Sequence, residues 1–175
     1  MANSANAASP FSKTDDRMVH KASGIVLPAR VGLFERSEMK PFDKAGRDVG
    51  VGYDLDHLIK GDIYIYPVGA YGKDLSSEFQ IQQKAIQELN KNTKVISREN
   101  LQIQQNGGAI SGLHASYNLE RDLFAERNLK CGSQLYVFRD GSWFVAYRFS
   151  YPRDKSSIAA QHIANFMAQW KWKER

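Results

Sequence analysis

Asp54, Asp56 and His57 are the residues whose types and spacing most suggest chemistry, three titratable side chains within four positions. Two carboxylates and an imidazole can hold a divalent cation, and the same set can move protons near neutral pH. They follow an alternating segment, so they are expected in a loop after a strand, where working groups concentrate. On that reading the protein is a metal-binding protein or a hydrolase. A plainer reading is an acidic turn with a solvated histidine.

No other constellation assembles. His20, His57, His114 and His162 are scattered, with no pair at metal-ligand spacing. Gly50-Val51-Gly52 lacks the third glycine of a dinucleotide fingerprint and opens no helix. Gly72-Lys73 is followed by Asp74, not by the hydroxyl residue of a P-loop. There is no G-x-S-x-G elbow. The lone Cys131 excludes an intrachain disulfide and a thiolate zinc cluster. Beside Lys130 it is a candidate reactive thiol; an inert buried thiol at a strand start is the simpler reading. Arg139 and Arg148 fall on one face of a hairpin, as an anion site or as ordinary partners of acidic neighbours. No catalytic set and no cofactor are expected.

Bulk composition narrows the partners. Lys and Arg number 24 against 19 Asp and Glu, a net charge of +5, and the two signs interleave. Lys171, Lys173 and Arg175 form only a short basic tail. A nucleic-acid footprint needs clustering on one face, so no nucleic-acid partner is expected. No apolar run is long enough for a membrane-spanning helix. The start, Ala2-Asn3-Ser4-Ala5-Asn6-Ala7-Ala8, is built like the remnant beside a signal-peptidase site, without a basic or apolar region before it. That favours a periplasmic or secreted location over a cytoplasmic one. Residues 1–22 are expected to be a disordered leader and 23–175 a single α+β domain.

The elements that must position these groups are legible as alternation and helical spacing. Ile25 to Phe34 reads as a strand kinked at Pro28, and Glu35 to Lys44 as loop. Val49, Val51 and Tyr53 share one face, with glycines on the other that permit close approach. Ile63 to Tyr66 alternates again, giving an antiparallel pair. Ser77 and Gln80 form a capping box for a helix with Phe79, Ile86 and Leu89 on one stripe. Val95 to Gln105, a turn at Asn106-Gly107-Gly108, and Ile110 to Leu119 read as a hairpin, and Asp122 to Asn128 as loop. Leu135 to Tyr151 is a second hairpin turning at Asp140-Gly141. Its face Tyr136, Phe138, Trp143, Val145, Tyr147, Phe149 could stack a ring ligand or form core; the opposite face is apolar too, so both should be covered. A last helix after Asp154 carries Ala159, Ile163, Phe166, Met167 and Trp170 at helical spacing.

The element order and the closing Phe166-Met167-Ala168-Gln169-Trp170-Lys171-Trp172 resemble the α/β/α sandwich of PsbP-like and Mog-type proteins, over about residues 24 to 172. The chain also resembles small uncharacterised bacterial envelope proteins. The resemblance implies a mostly antiparallel sheet of six to seven strands with helices packed on it. It also implies a non-catalytic accessory or binding role: that family contains an extrinsic photosystem II subunit and a Ran-binding factor. No binding residue carries over. The expected partner is an unidentified protein or small molecule.

Overall fold

The computed structural model describes residues 9–105 and 107–173. Among the described residues eleven strands form two sheets, antiparallel throughout their pairings. The strands are β1 (Phe11–Thr14), β2 (Arg17–His20), β3 (Val26–Leu27), β4 (Arg30–Val31), β5 (Phe34–Pro41), β6 (Val49–Leu55), β7 (Ile59–Pro67), β8 (Lys91–Gln105), β9 (Gly108–Leu123), β10 (Glu126–Asp140) and β11 (Trp143–Pro152). The small sheet is β1-β2-β3, and the large one runs β4-β5-β6-β7-β11-β10-β9-β8. Helix α1 (Leu75–Leu89) follows β7, and α2 (Ser156–Gln169) follows β11 after a short 3-10 turn.

The strand count exceeds the expected six to seven because polar segments extend the sheet. Glu35 to Lys44 is not a loop: β5 occupies most of it, paired with β6. Asp122 to Asn128 holds a tight turn, in which Phe124 and Ala125 both take positive φ, 51° and 64°. Neither Gly nor Asn occupies the turn, which hides it from a sequence search. The disordered leader does not hold over residues 11–20. There β1 and β2 pair, and the buried His20 ring hydrogen-bonds Gly46 O and Ser23 Oγ, both at 2.8 Å. Residues 1–8 of that leader, and Asn106 of the expected turn, lie outside the described residues.

Alternation sends the two faces of the large sheet to two cores. Val49, Val51, Tyr53, Val145, Tyr147 and Phe149 join Ile163, Phe166 and Trp170 on the α2 side. Leu135, Val137, Phe144, Ala146 and Tyr66 join Phe79 and Ile86 on the α1 side. A helix thus covers each face. The Phe166 ring meets those of Phe34, Tyr53, Phe149 and Trp170 at 4.9–5.7 Å. Each such buried ring contributes about 2–3 kcal/mol by leaving water. The aromatic face of the hairpin is therefore core. The closing segment locks this side: Trp172 Nε1 donates to Tyr147 Oη, Trp170 Nε1 donates to Val26 O at 2.9 Å, and Val26 N donates to Trp172 O at 2.6 Å.

Three local expectations shift. The β10–β11 hairpin turns at Gly141-Ser142, so Asp140 faces Trp143 and Phe138 faces Val145. Only Gly141 takes positive φ, 59°, which fits a type II′ turn. A slip of two residues leaves each face unchanged, so the core assignment survives. Helix α1 starts before Ser77: Asp74 is its N-cap, accepting from Ser77 N at 2.8 Å, and Leu89 is exposed. In α2 the cap is not Asp154, which sits in the 3-10 turn; the N-cap Lys155 makes no side-chain cap.

Candidate functional site

The pleat of β6 and β7 builds an open groove on the α1 side. Val49, Val51 and Tyr53 point to the α2 core, so Gly50, Gly52 and Asp54 lie on the other face. Their partners on β7 are Tyr64, Asp62 and Lys60. The glycines leave the floor without side chains, and the β5 arm closes onto it. A Cβ on Gly50 would stand 2.8 Å from the Phe42 ring, and one on Gly52 would stand 2.2 Å from Ser37 Oγ. The β5–β6 register shifts between Arg36 and Met39, a bulge of the kind that re-aims side chains.

The resulting recess has a volume of about 460 Å³, with Phe42 and Tyr64 on its wall and Asp54, Lys60 and Asp62 along its length. The Phe42 and Tyr64 rings stand 6.1 Å apart, and Lys40 Nζ lies 5.4 Å from the centre of the Phe42 ring. A second recess of about 250 Å³ shares Phe42 and Tyr64 and continues to Tyr71 and Gln82 beside α1. Phe42 is 49% and Tyr71 55% exposed, although the Tyr71 ring meets that of buried Tyr66 edge-on at 5.3 Å.

Titratable groups around the groove are held by structural bonds. Tyr71 donates to Asp48 Oδ2, which pushes the phenol up to about 12. Burial raises the Asp48 carboxyl, and the Tyr71 hydrogen bond opposes this. Glu78, fully buried, accepts from Tyr66 Oη, Gly72 N and Gln82 Nε2 at 2.7–2.8 Å. Burial also raises Asp62, against the attraction of Lys60, Arg121 and Arg148. No histidine or cysteine lines either recess among the described residues. The chemistry on offer is ring stacking and charge pairing.

The sequence candidates fall partly elsewhere. Asp54 is on β6, where Oδ1 accepts from Gly61 N at 3.3 Å and lies 4.0 Å from Lys60 Nζ. Asp56 and His57 sit in the β6–β7 turn, 3.3 Å apart and 91% and 82% exposed. The structure thus brings Asp56 and His57 together. No group of three His, Cys, Asp or Glu placed to hold a metal occurs among the described residues. Cys131 is buried, and burial pushes its thiol up, away from the reactive thiolate. Arg139 is exposed at the hairpin tip, donating to Gly141 O, and does not meet Arg148 in a site. Phe42 and Tyr64 were missed because one lay in a presumed loop and the other in a strand read only for its core. The signal that could have found them was the bare Gly50 and Gly52 face opposite an aromatic strand.

No family model matches the sequence, and no curated protein matches it. Solved structures do. A protein of unknown function from Pseudomonas aeruginosa, described as a putative regulator, aligns with a TM-score of 0.54 at 7% identity, over 94% of this chain and 97% of that one. Cyanobacterial PsbP (CyanoP) from Synechocystis aligns with a TM-score of 0.51 at 10% identity, over 97% of this chain and 95% of that one. At such identity the likeness is one of architecture: this chain has a PsbP-like fold, a mostly antiparallel sheet covered by two helices.

Proposed function

We propose that the chain is a non-catalytic accessory protein that docks a protein partner, through an extended segment of mixed charge, in the groove between the β5 arm and α1. One observation carries this reading. Strand β6, sealed on its α2 side, carries Gly50 and Gly52 on the other, and there Phe42 over Gly50 and Tyr71 beside Tyr66 keep about half of their surface open. Alternating Lys60, Asp62 and Asp54 suit a peptide that offers both signs, and the carboxylates nearest α1 are engaged in structural hydrogen bonds. PsbP-like architecture supports an accessory role by analogy of fold alone.

A photo-crosslinking residue at position 42, compared with one at exposed Ile158 on the α2 side, tests this in the native host. A discrete protein adduct at position 42 alone, lost on Tyr64→Ala, is expected. Equal labelling at both positions, or labelling by small molecules only, contradicts it. The alternative, a metal-binding protein or hydrolase using Asp54, Asp56 and His57, rests on the Asp56–His57 pair and has its own test below.

A further inference from the structure

We propose that the pocket at the C-terminal end of α1 is a phosphate site, taking a phosphate group carried on a small organic molecule. The proposal is independent of the groove reading, and different residues line its pocket. Four cations line a pocket of about 580 Å³: Lys91 from the start of β8, Arg121 from β9, Arg127 from β10 and Arg148 from β11. Glu120 and Asp122 are the acids on its lining.

Each of those acids accepts a hydrogen bond from a neutral donor. Glu120 Oε2 accepts from Asn92 Nδ2 at 2.8 Å, and Asp122 Oδ1 accepts from Asn128 N at 2.9 Å. Among the described residues none of the four cations makes an ion pair. Arg121 Nη1 donates to a neutral oxygen, Ser150 Oγ at 2.9 Å, and Lys91 Nζ donates to Asn128 Oδ1 at 3.4 Å. Arg148 is half-buried, and its enclosed Nε has no hydrogen-bond partner. Its cross-strand neighbour Asp62 attracts it, while burial and Arg121 weaken its hold on the proton. Two guanidinium groups brought together with no ion pair of their own form an arrangement that an anion completes.

The kind of anion follows from the donors, three guanidinium groups and one ammonium. Four cations against Glu120, Asp122 and the adjoining Asp62, which attracts Arg121 and Arg148, leave a surplus of one positive charge, and the end of α1 offsets about half a charge. A phosphate carries about −1.5 to −2 near neutral pH and offers three acceptor oxygens to guanidinium forks. The pocket is larger than phosphate alone, which leaves room for an organic body.

Thermal unfolding and calorimetry of the full chain at low salt test this, with inorganic phosphate and a nucleoside monophosphate against chloride at matched ionic strength. Phosphate-specific stabilisation is expected, with tighter binding of the monophosphate. Arg127→Ala, an exposed change that should leave the fold intact, should weaken binding roughly tenfold. Arg148→Met removes a half-buried charge together with its attraction for Asp62, so its Tm without phosphate serves as its own baseline, from which it should lose the phosphate response. Lys155→Ala, outside the pocket, should bind as wild type. No response beyond chloride, a stronger response to succinate than to phosphate, or an unchanged response in both arginine variants overturns the proposal.

Discussion

Glu78 fixes the start of α1 against the sheet, and its replacement can be worked through bond by bond. Its Oε2 accepts from Gly72 N at 2.7 Å, and its Oε1 accepts from Tyr66 Oη and Gln82 Nε2, both at 2.8 Å. In Glu78→Ala the Gly72 N–H and Tyr66 O–H face a hole. A buried donor without an acceptor costs about 1–3 kcal/mol, so two of them with a small cavity cost about 3–5 kcal/mol. Glu78→Gln should behave differently. The amide oxygen can stay on the Gly72 N–H, which cannot turn, while the amide nitrogen faces Tyr66 Oη, which can. The Gln82 amide can flip to accept. The expected cost is about 1–2 kcal/mol. Urea unfolding followed by far-ultraviolet dichroism measures both. A Gln variant as unstable as the Ala variant, or an Ala variant within about 1 kcal/mol of wild type, refutes the reasoning.

Other positions give independent checks. Ala125→Gly should stabilise the protein by about 0.5–1 kcal/mol and raise Tm, because Ala125 holds a φ of 64° that glycine adopts freely; a lower Tm would show that its methyl packs. Burial holds His20 below its usual 6.5, so the unfolded chain takes up the proton first. Stability should therefore fall as pH drops below about 6.5, and His20→Gln should flatten that part of the pH–stability curve; an unchanged curve contradicts it. Zinc or magnesium titration should leave Tm unchanged in wild type and in Asp54→Ala. A metal-dependent rise lost in Asp54→Ala would establish the loop site.

Legibility tracked burial. β6, β7, the β10–β11 hairpin and α2 could be read from alternation and helical spacing because one or both of their faces are apolar. The face assignment from Tyr136 to Tyr151 survived an error in the turn because a slip of two preserves the pleat. β5 and β8 were harder: long polar strands near the sheet edges carry loop-like composition, and β8 is exposed along most of its length. The β1–β2 hairpin is held by His20 reaching Gly46, a contact 26 positions away that no local pattern reports. The candidate sites followed the same rule. Asp54, Asp56 and His57 are neighbours in sequence, yet Asp54 belongs to a strand and the other two to a turn. Arg121 and Arg148 meet only because β9, β10 and β11 lie side by side.

Residue-resolved hydroxyl-radical footprinting of the free chain addresses the division of aromatics between core and groove. Phe42 and Tyr71 should label fast, while Tyr147, Phe149, Trp170 and Trp172, each at most 1% exposed, should be protected until global unfolding. Labelling of Tyr147 or Trp172 at the rate of Tyr71 would mean that the α2 side is open, and would move the binding surface there.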